Sequence, residues 1–354
     1  MKALVARPGG FGGVLLAGPA VRAVATRATH VTMLCDPGGA PAARLLPHVD
    51  DVVVWDTPAH APAEGTGPPS AAPAGPGGPD SANGTDGTDD VVRRLREEAY
   101  DVALVLAPQP QNPLPTARLL RTARVRRIGA TAAGTEDPHA DGTGRTDGLL
   151  DVRLPRRPGR HEAETALDTA AAMGFGLRTG DDGRLRVLPA PDTAPLTGNG
   201  PYVVVHPGSE DPSRAWDAGR CAEAVALLAD AGHRVVVTGG PGETALTRRV
   251  SGATAVDLGG RTTPRVLSGV LRNADAVVTG AAGPAHLAAA VGTPVVTPAA
   301  LAAPAESRAP YWVPAVLLGS RTRPCPPAGP GHPWDEASPE DVARAVRDLL
   351  AKGT

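Results

Sequence analysis

Short apolar runs alternate with longer amphipathic stretches along the whole chain. In the first half, the runs that predict strands are KALVARP (2–8), HVTMLCD (30–36) and VDDVVVWD (49–56). A glycine-rich loop at 9–13 and a helix at 14–28 separate the first two strands. Residues 91–108 predict a helix followed by a strand, and 161–175 predict a further helix. Strands that alternate with helices in this way indicate a parallel sheet built of βαβ units.

The same alternation returns more clearly after residue 200. Strands are predicted at YVVVH, HRVVVTG, AVDLG, DAVVTG and TPVV, with helix-like segments between them. One of these helices is predicted to begin at Pro284, just past the strand that ends near Gly280. The chain closes with SPEDVARAVRDLLAK (338–352), in which Ser338 is placed to cap a helix and Pro339 to occupy its first position.

Composition divides this pattern into two domains of the α/β class. Residues 188–200 have the composition of a linker, so we predict a Rossmann-like domain over 1–190, a second one over 200–337 and a closing helix over 338–354. Residues 58–89 are almost all Pro, Gly, Ala, Ser, Thr and Asp. They have no large apolar side chain to bury, which predicts a disordered loop. A second mobile loop is predicted at 129–148.

Length and charge limit the possible partners. The 354 residues fit about two domains of ~150 residues. A net charge of −2 gives no reason to expect nucleic acid or an anionic membrane as a partner. No apolar run reaches the ~18–20 residues of a membrane span, and the N-terminus does not predict a signal peptide. The cysteines at 35, 221 and 325 lie too far apart for a disulfide framework or metal cluster. We therefore expect a cytoplasmic protein without a metal or cofactor.

Three loops of the second half carry the candidate chemistry. HPGS (206–209), TGGPGE (238–243) and GAAGPAH (280–286) each follow a predicted strand. Ligands of open α/β sheets bind at the carboxyl ends of strands, which share one edge in a parallel sheet. Glycines let backbone amides approach a ligand, and the amides of a helix N-terminus favour phosphate. Together the loops predict a phosphate-binding platform, although each alone also fits an ordinary turn.

Four side chains could add contacts to this platform. Ser209 could donate to a phosphate, Arg214 could pair with one through two parallel hydrogen bonds, and His286 could donate from the start of its helix. Glu243 could accept from a ribose diol. The alternatives are a solvated arginine, a packed histidine and a glutamate that only supports its own turn.

The glycine loop RPGGFGG (7–13) of the first half could face this platform across a cleft. It does not fit G-x-G-x-x-G, so it does not predict a dinucleotide site. The sequence also contains no Walker A lysine, no zinc-ligand spacing and no G-x-S-x-G elbow.

Taken in order, the motifs resemble the heptosyltransferases of glycosyltransferase family 9. The segments that carry the resemblance are ALVARPGGFGGVLLAGPAVRA, RHEAETALDTAAAMG, HPGS with PSRAW, GHRVVVTGGPGE, residues 258–296 and SPEDVARAVRDLL. The resemblance implies a GT-B fold of two Rossmann-like domains with parallel sheets facing across a cleft. It also implies an inverting, metal-independent enzyme that moves a sugar, such as a heptose from its ADP derivative, to an acceptor.

The resemblance assigns the nucleotide-sugar donor, ADP-linked in the family, to the C-terminal domain and the acceptor to the N-terminal domain. The acceptor would be a secondary metabolite or an envelope glycan with a reactive hydroxyl or amine. The resemblance implies donor roles for Ser209, Arg214, Glu243, Gly283 and His286. Our further candidates for donor binding are His206, Gly208, Gly240, Thr263 and Ala282. Arg214 and His286 would stabilise the departing diphosphate. The implied acceptor-side residues are Gly10, Phe11, Gly12 and Gly13.

The chain departs from the family pattern at several functional positions. The family's presumed general base is an aspartate, and Gly13 stands in its place. The family's Asp-Thr-Gly donor motif is Ala281-Ala282-Gly283 here, and its Lys-Arg pair is Arg214-Ala215. Only Cys325 remains of a late cysteine-rich loop. The backbone of the donor platform is thus kept while several of its side chains are lost.

These departures leave two questions: which group acts as the base, and which activity the chain has. Asp36 and His206, at predicted strand ends, are candidate substitutes for the base. Loss of general-base catalysis would slow a positioned reaction by about 10²–10⁴-fold without abolishing it. The alternatives are an inactive homologue that binds a nucleotide sugar or a partner enzyme, and another enzyme on this fold, such as a nucleotide-sugar epimerase or hydrolase.

Overall fold

The chain forms two compact units. The computed structural model describes residues 1–56, 87–108, 111–132, 148–209, 215–280, 282–298, 305–318 and 337–352. Unit 1 comprises Met1–Pro158 and Glu162–Gly183, and unit 2 comprises Gly159–His161 and Arg184–Thr354. Most of the loop predicted at 58–89 lies outside the described residues, as does the part of the second predicted loop over 133–147.

Unit 1 is a six-stranded parallel sheet with helices. Its strands are β1 (Lys2–Arg7), β2 (His30–Cys35), β3 (Asp51–Val54), β4 (Val102–Val105), β5 (Arg127–Ala132) and β6 (Val152–Pro155). Its helices are α1 (Phe11–Leu16), α2 (Gly18–Val24), α3 (Ala40–Ala43), α4 (Thr88–Glu98), α5 (Leu114–Thr122) and α6 (Glu162–Ala172). The strand order is β3-β2-β1-β4-β5-β6, and each neighbouring pair is parallel.

Unit 2 repeats this arrangement. Its strands are β7 (Val203–His206), β8 (Val235–Gly239), β9 (Val256–Gly259), β10 (Ala276–Thr279), β11 (Val295–Thr297) and β12 (Ala315–Leu317). Its helices are α7 (Ala194–Thr197), α8 (Ala218–Asp230), α9 (Thr244–Ser251), α10 (Pro264–Arg272), α11 (Ala282–Val291), α12 (Ala305–Arg308) and α13 (Pro339–Lys352). The order β12-β11-β10-β7-β8-β9 is again parallel throughout. The two sheets confirm the predicted α/β class.

The central strands are buried along their whole length. All residues of β7, β8 and β10 are inaccessible to solvent or nearly so. Parallel sheets are covered by helices on both faces, which is why these strands are continuous apolar runs in the sequence. The closing helix α13 begins at Pro339, as predicted, and Ser338 Oγ accepts from Asp341 N at 3.2 Å. Its Val342 and Val346 are part of the unit 2 core.

Several predicted boundaries were wrong. The helix predicted at 14–28 begins at Phe11 and is divided into α1 and α2. Thr88 begins α4 inside the predicted loop 58–89, and β5 occupies the start of the loop predicted at 129–148. The helix that was predicted to begin at Pro284, α11, begins at Ala282, so Pro284 is its third residue. These stretches are rich in Gly and Ala, whose small side chains give little periodic signal at an element's end.

A close contact with a neighbouring side chain explains the glycine at position 129 of β5. The Met173 side chain packs over Gly129 and fills the space that a Cβ would need. No helix of the described residues has the length and apolar character required to cross a membrane.

Candidate functional sites

The sheet of unit 2 reverses its winding between β7 and β10. From β7 the order proceeds to β8 and β9 on one side, whereas β10, β11 and β12 lie on the other. His206 at the end of β7 is the register partner of Thr279 at the end of β10. The chains that leave two such strands go to opposite faces of the sheet and open a crevice, where ligands of this architecture bind. The fold therefore brings the predicted loops at 206–209 and 280–286 together.

Helix α11 presents its N-terminus at this crevice. Its first residue, Ala282, is exposed, and the second, Gly283, is half-buried. The N–H groups of a first helical turn have no carbonyl partner within the helix, and the helix dipole makes this end electropositive. Pro284 contributes no N–H. The ten-residue helix thus offers the amides of Ala282 and Gly283 to an anion.

His286 lies deeper than predicted. As the fifth residue of α11, it is buried, with 3% of its surface exposed. This burial favours the packed histidine that the sequence left open. A phosphate could approach only the small accessible part of the ring, and a direct contact with a ligand stays a prediction.

The carboxylate of Glu243 joins the second predicted loop to the first. Glu243 Oε2 accepts from Gly240 N at 2.6 Å. The same carboxylate packs over Gly208 and occupies the space that a Cβ would need there. Glu243 therefore supports its own turn, which was the alternative to a ribose contact. It also contacts the loop after β7. The close approach explains the glycine at position 208.

His206 is a buried neutral side chain beside this carboxylate. Its Nδ1 lies 2.9 Å from Thr238 Oγ1, and its Nε2 lies 4.0 Å from Glu243 Oε2. Burial lowers the pKa of His206 from its ordinary value, and the Glu243 carboxylate only partly opposes that effect. An enclosed imidazole with a lowered pKa is a weak proton acceptor for an external hydroxyl. A role for His206 as the substitute base stays a prediction.

Of the remaining donor-side candidates, some lie among the described residues and others do not. Thr263 caps α10, because its Oγ1 accepts from Val266 N at 3.3 Å. Ser209 is half-buried on the loop after β7. Arg214 and Ala281 lie outside the described residues, so the predicted pairing of Arg214 with a phosphate stays a prediction.

Unit 1 carries a pocket at its own winding reversal, between β1 and β4. The pocket has an empty volume of about 410 Å³, including the open mouth. Its polar lining consists of Arg7, Thr131, Arg156, Glu162, Thr165 and Thr169. From the sequence we predicted only the glycines in front of this position, and the pocket was missed. A signal was present, because Arg7 is a charged residue that directly follows the buried apolar run 3–6 of β1.

Arg7 connects four segments of unit 1. It is 5% exposed, and each guanidinium nitrogen has a partner. Nε donates to Gly13 O at 2.9 Å, Nη1 to Leu106 O at 2.7 Å and Nη2 to Glu162 Oε2 at 2.5 Å. These contacts hold the start of α1 and the start of α6 against β1 and β4.

This arrangement gives a structural reason for the glycine at position 13. A Cβ there would lie 3.0 Å from Arg7 Nη2 and 3.3 Å from Nε, closer than an ordinary contact. The space that an aspartate would enter is therefore taken by the guanidinium. Phe11, Gly12 and Gly13 lie in the first turn of α1, and Gly10 precedes it. Contact of these four residues with an acceptor stays a prediction.

Asp36, the other candidate base, supports the same loop. Its Oδ2 accepts from Gly9 N at 2.7 Å, and Asp36 is 8% exposed. Gly9 has a φ of +121°, a conformation that favours glycine. The carboxylate therefore fixes the backbone just before α1, and its action as a base stays a prediction.

Comparison with known proteins places these features in a family. A model described as glycosyltransferase family 9 (heptosyltransferase) matches residues 89–327. No match to a curated protein reaches significance. The structure is similar to a family 9 glycosyl transferase from Veillonella parvula, at 17% identity and a TM-score of 0.71, covering 99% of this chain and 97% of that one.

The structure is also similar, over the whole chain, to two heptosyltransferases of E. coli. ADP-heptose LPS heptosyltransferase II has 17% identity and a TM-score of 0.70, with 100% of this chain and 99% of that one covered. Heptosyltransferase WaaC with ADP-2-deoxy-2-fluoro heptose has 17% identity and a TM-score of 0.64, with 100% of both chains covered. The two-sheet architecture is thus the GT-B fold of these structures.

Proposed function

Because the chain belongs to glycosyltransferase family 9, we propose that it moves a sugar from a nucleotide diphosphate donor to a hydroxyl or amine acceptor, in an inverting reaction that needs no metal. The observation that carries the proposal is the position of the α11 N-terminus at the β7/β10 crevice of unit 2. A diphosphate is the part of such a donor that this electropositive end would recognise.

The donor contacts follow from the crevice. The amides of Ala282 and Gly283 bind the diphosphate, and Arg214 pairs with it. Glu243 Oε1, the oxygen that does not bind Gly240, accepts from the ribose hydroxyls. WaaC has been solved with ADP and with a fluorinated ADP-heptose, so an ADP-linked heptose is the first donor to test on this chain.

The leaving group is where this site contributes most. The acceptor oxygen forms a bond to the anomeric carbon as the bond from that carbon to the diphosphate breaks, and negative charge develops on the departing phosphate. Fixed amides stabilise this charge without reorganising during the reaction, and Arg214 adds a positive charge. The amides at the helix end explain why alanine is tolerated at 282, where a hydroxyl side chain would be the family's choice.

Removal of the acceptor proton is the weaker half of the mechanism. Gly13 provides no carboxylate, so the proton passes to solvent or to a side chain other than the family's aspartate. The absence of an oriented base would raise the barrier by about 3–5 kcal/mol. We therefore expect transfer that is slow for this family.

The second candidate function is binding without turnover. The observation that favours it is the Arg7 guanidinium, which occupies the space beside Gly13 where the family's aspartate would stand. A chain of this kind would hold a nucleotide sugar, alone or with a partner enzyme, and release no product.

Mass spectrometry of donor mixtures separates these functions. ADP-, GDP-, UDP- and dTDP-linked sugars are incubated with the protein, with and without a panel of acidic and neutral acceptors. Release of nucleotide diphosphate that requires an acceptor supports the transferase. Release of free sugar without an acceptor identifies a hydrolase, and a new sugar isomer identifies an epimerase. Saturable binding of one donor with no conversion supports the binding protein and contradicts the transferase.

A further inference from the structure

Trp312 is an exposed aromatic side chain on the loop that precedes β12. It is 54% exposed, whereas the other tryptophans that the structure describes, Trp55 and Trp216, are 5% and 3% exposed. A single exposed apolar residue is ordinary on a protein surface. Trp312 differs in its backbone, because its φ of +60° lies in the left-handed region. A bulky residue has a steric cost in that conformation, and residues of this kind cluster at ligand sites.

The loop that carries Trp312 is anchored within unit 2. The buried ring of Tyr311 stacks on the ring of His161, with centroids 4.4 Å apart and an angle of 25° between the planes. His161 Nε2 also lies 3.0 Å from Ala309 O. These contacts hold the backbone directly before Trp312, and they therefore help to maintain its left-handed conformation.

Two neighbours restrict the orientation of the indole. The central carbon of the Arg184 guanidinium lies 5.4 Å from the centroid of the indole, within the range of a cation–π contact. The Tyr311 ring lies 6.1 Å away at an angle of 64°, which is an edge-to-face arrangement. A ring held in this way loses little freedom when a ligand packs on the part that remains exposed.

The surroundings of Trp312 do not fit a protein partner. Among the described residues, the exposed large apolar side chains are Met1, Leu188 and Trp312, and three such residues do not supply a broad apolar patch. A stable protein interface needs about 1,000 Å² of buried surface with an apolar core. One indole beside a guanidinium fits a smaller ligand, namely a ring that is apolar on its faces and polar at its rim.

A pyranose ring has this character. The C–H groups on its faces carry a slight positive charge, and the face of an aromatic ring is the negative part of its quadrupole. The hydroxyls at the rim can accept hydrogen bonds from a guanidinium, which has five N–H donors. Stacking on Trp312 would therefore place the hydroxyls of a sugar within reach of Arg184.

We propose that Trp312 and Arg184 form a carbohydrate-binding platform that packs against one face of a pyranose ring. The platform lies away from the crevice of unit 2. Pro314, two residues after Trp312, accepts from Val295 N at 3.0 Å at the amino end of β11, whereas the crevice is at the carboxyl ends of β7 and β10. The platform would hold a part of a glycan other than the reacting sugar. That this glycan is the acceptor or the product rests on the proposed function, whereas the binding of a pyranose does not.

Nuclear magnetic resonance of the full chain tests the platform at the ring it names. The indole N–H groups are labelled with ¹⁵N-tryptophan, and the Trp312 signal is assigned by its loss in Trp312→Phe. Cellotriose, maltotriose and methyl α-mannopyranoside are titrated to about 50 mM, where a site of roughly millimolar Kd is saturated. Glycerol supplies hydroxyls without a ring. ADP is titrated in parallel, because a purine base also stacks on aromatic side chains.

The expected result is a saturable shift of the Trp312 signal with a saccharide and none with glycerol. Saturation of the aromatic protons should pass to C–H protons on one face of the sugar. Trp312→Ala should weaken binding by at least about tenfold. Leu188→Ala is the matched control, since Leu188 is also an exposed large apolar residue of unit 2, at 38%, and it should bind as the wild type does. The indole signals of Trp55 and Trp216 report whether each variant is folded.

Four results would overturn the proposal. These are a Trp312 signal that no saccharide moves, an equal loss of binding in the two alanine variants, a tighter response of Trp312 to ADP than to any saccharide, and a Trp312 signal that shifts with protein concentration alone. The last would assign the ring to a contact between copies of the chain. The titration requires neither a donor nor turnover. A chain that transfers sugar but shows no response at Trp312 would therefore disprove the platform and leave the proposed function standing.

Discussion

Replacing Gly13 tests the contact between α1 and Arg7. A Cβ at this position would be 3.0 Å from Arg7 Nη2, against about 3.5–4.0 Å for relaxed contacts. Arg7 is fixed by hydrogen bonds of 2.9, 2.7 and 2.5 Å and cannot move without lengthening one of them. Crowding of this kind costs about 1–3 kcal/mol. Alanine regains about 0.5–1 kcal/mol because it forms helix better than glycine does. Gly13→Ala should therefore lower the free energy of unfolding by about 1 kcal/mol.

Gly13→Asp should lose less stability than Gly13→Ala. Its carboxylate meets the Arg7 guanidinium and the electropositive start of α1, and the helix-end effect alone stabilises by about 0.3–1 kcal/mol. Urea unfolding followed by circular dichroism measures the change, and hydrogen exchange in peptides from β1 and α1 locates it. The expected order of stability is glycine, aspartate, alanine. An alanine variant as stable as the wild type would show that the Arg7 side chain can move without a cost in stability, which would refute this reasoning.

The same pair of variants reports on catalysis. If proton removal limits the reaction, Gly13→Asp should increase kcat by up to about 10²–10⁴-fold, and Gly13→Asn, which has the same size without a basic oxygen, should not. An equal effect of the two would show that position 13 acts through packing alone.

Three further predictions concern unit 2. Gly208→Ala should displace the Glu243 carboxylate that packs over Gly208 and raise the KM for the donor, whereas Gly242→Ala, where a Cβ meets open space, should not; equal KM values would contradict a role for Glu243. Because burial lowers the pKa of His206, the unfolded chain takes up its proton first, so stability should fall as the pH drops below about 6.5. His206→Gln should weaken this loss in thermal unfolding at pH 7.5 and 5.5, and an unchanged slope would contradict the assignment. Thr263→Ala should cost about 1 kcal/mol through loss of the α10 cap, and Thr263→Ser should restore it; a variant without a stability change would assign the hydroxyl to another role.

The sequence was sufficient for the central strands of both sheets, whereas β5, β6 and β12 were not predicted. The strands Val203–His206 and Ala276–Thr279 are apolar up to their last residue, a pattern that few structures other than a buried parallel strand accommodate. The order of the runs then determined which loops share an edge. The pattern of apolar and polar residues could identify these strands because the strands depend on burial, and burial requires apolar residues at each position.

Contacts made by single polar side chains could not be predicted in this way. The role of Arg7 depends on the distant residues Leu106 and Glu162, and their proximity follows only from the packed fold. Glu243 fulfils one role considered for it, because a carboxylate oxygen binds its own turn, and it also covers Gly208, a contact that was not predicted. His286 could be read as a ligand contact or as packing, and only its burial favours the second.

Calorimetric titration of ADP tests whether the α11 N-terminus binds the diphosphate of the donor. Gly283→Asp places a negative charge at that helix end, where it supports the helix but repels an anion. Gly176→Asp makes the same change at an open position of unit 1 and serves as the control. We predict that the wild type and Gly176→Asp bind ADP alike and that Gly283→Asp binds it at least about tenfold more weakly, a difference of roughly 1.4 kcal/mol. Equal affinity in all three proteins would contradict it.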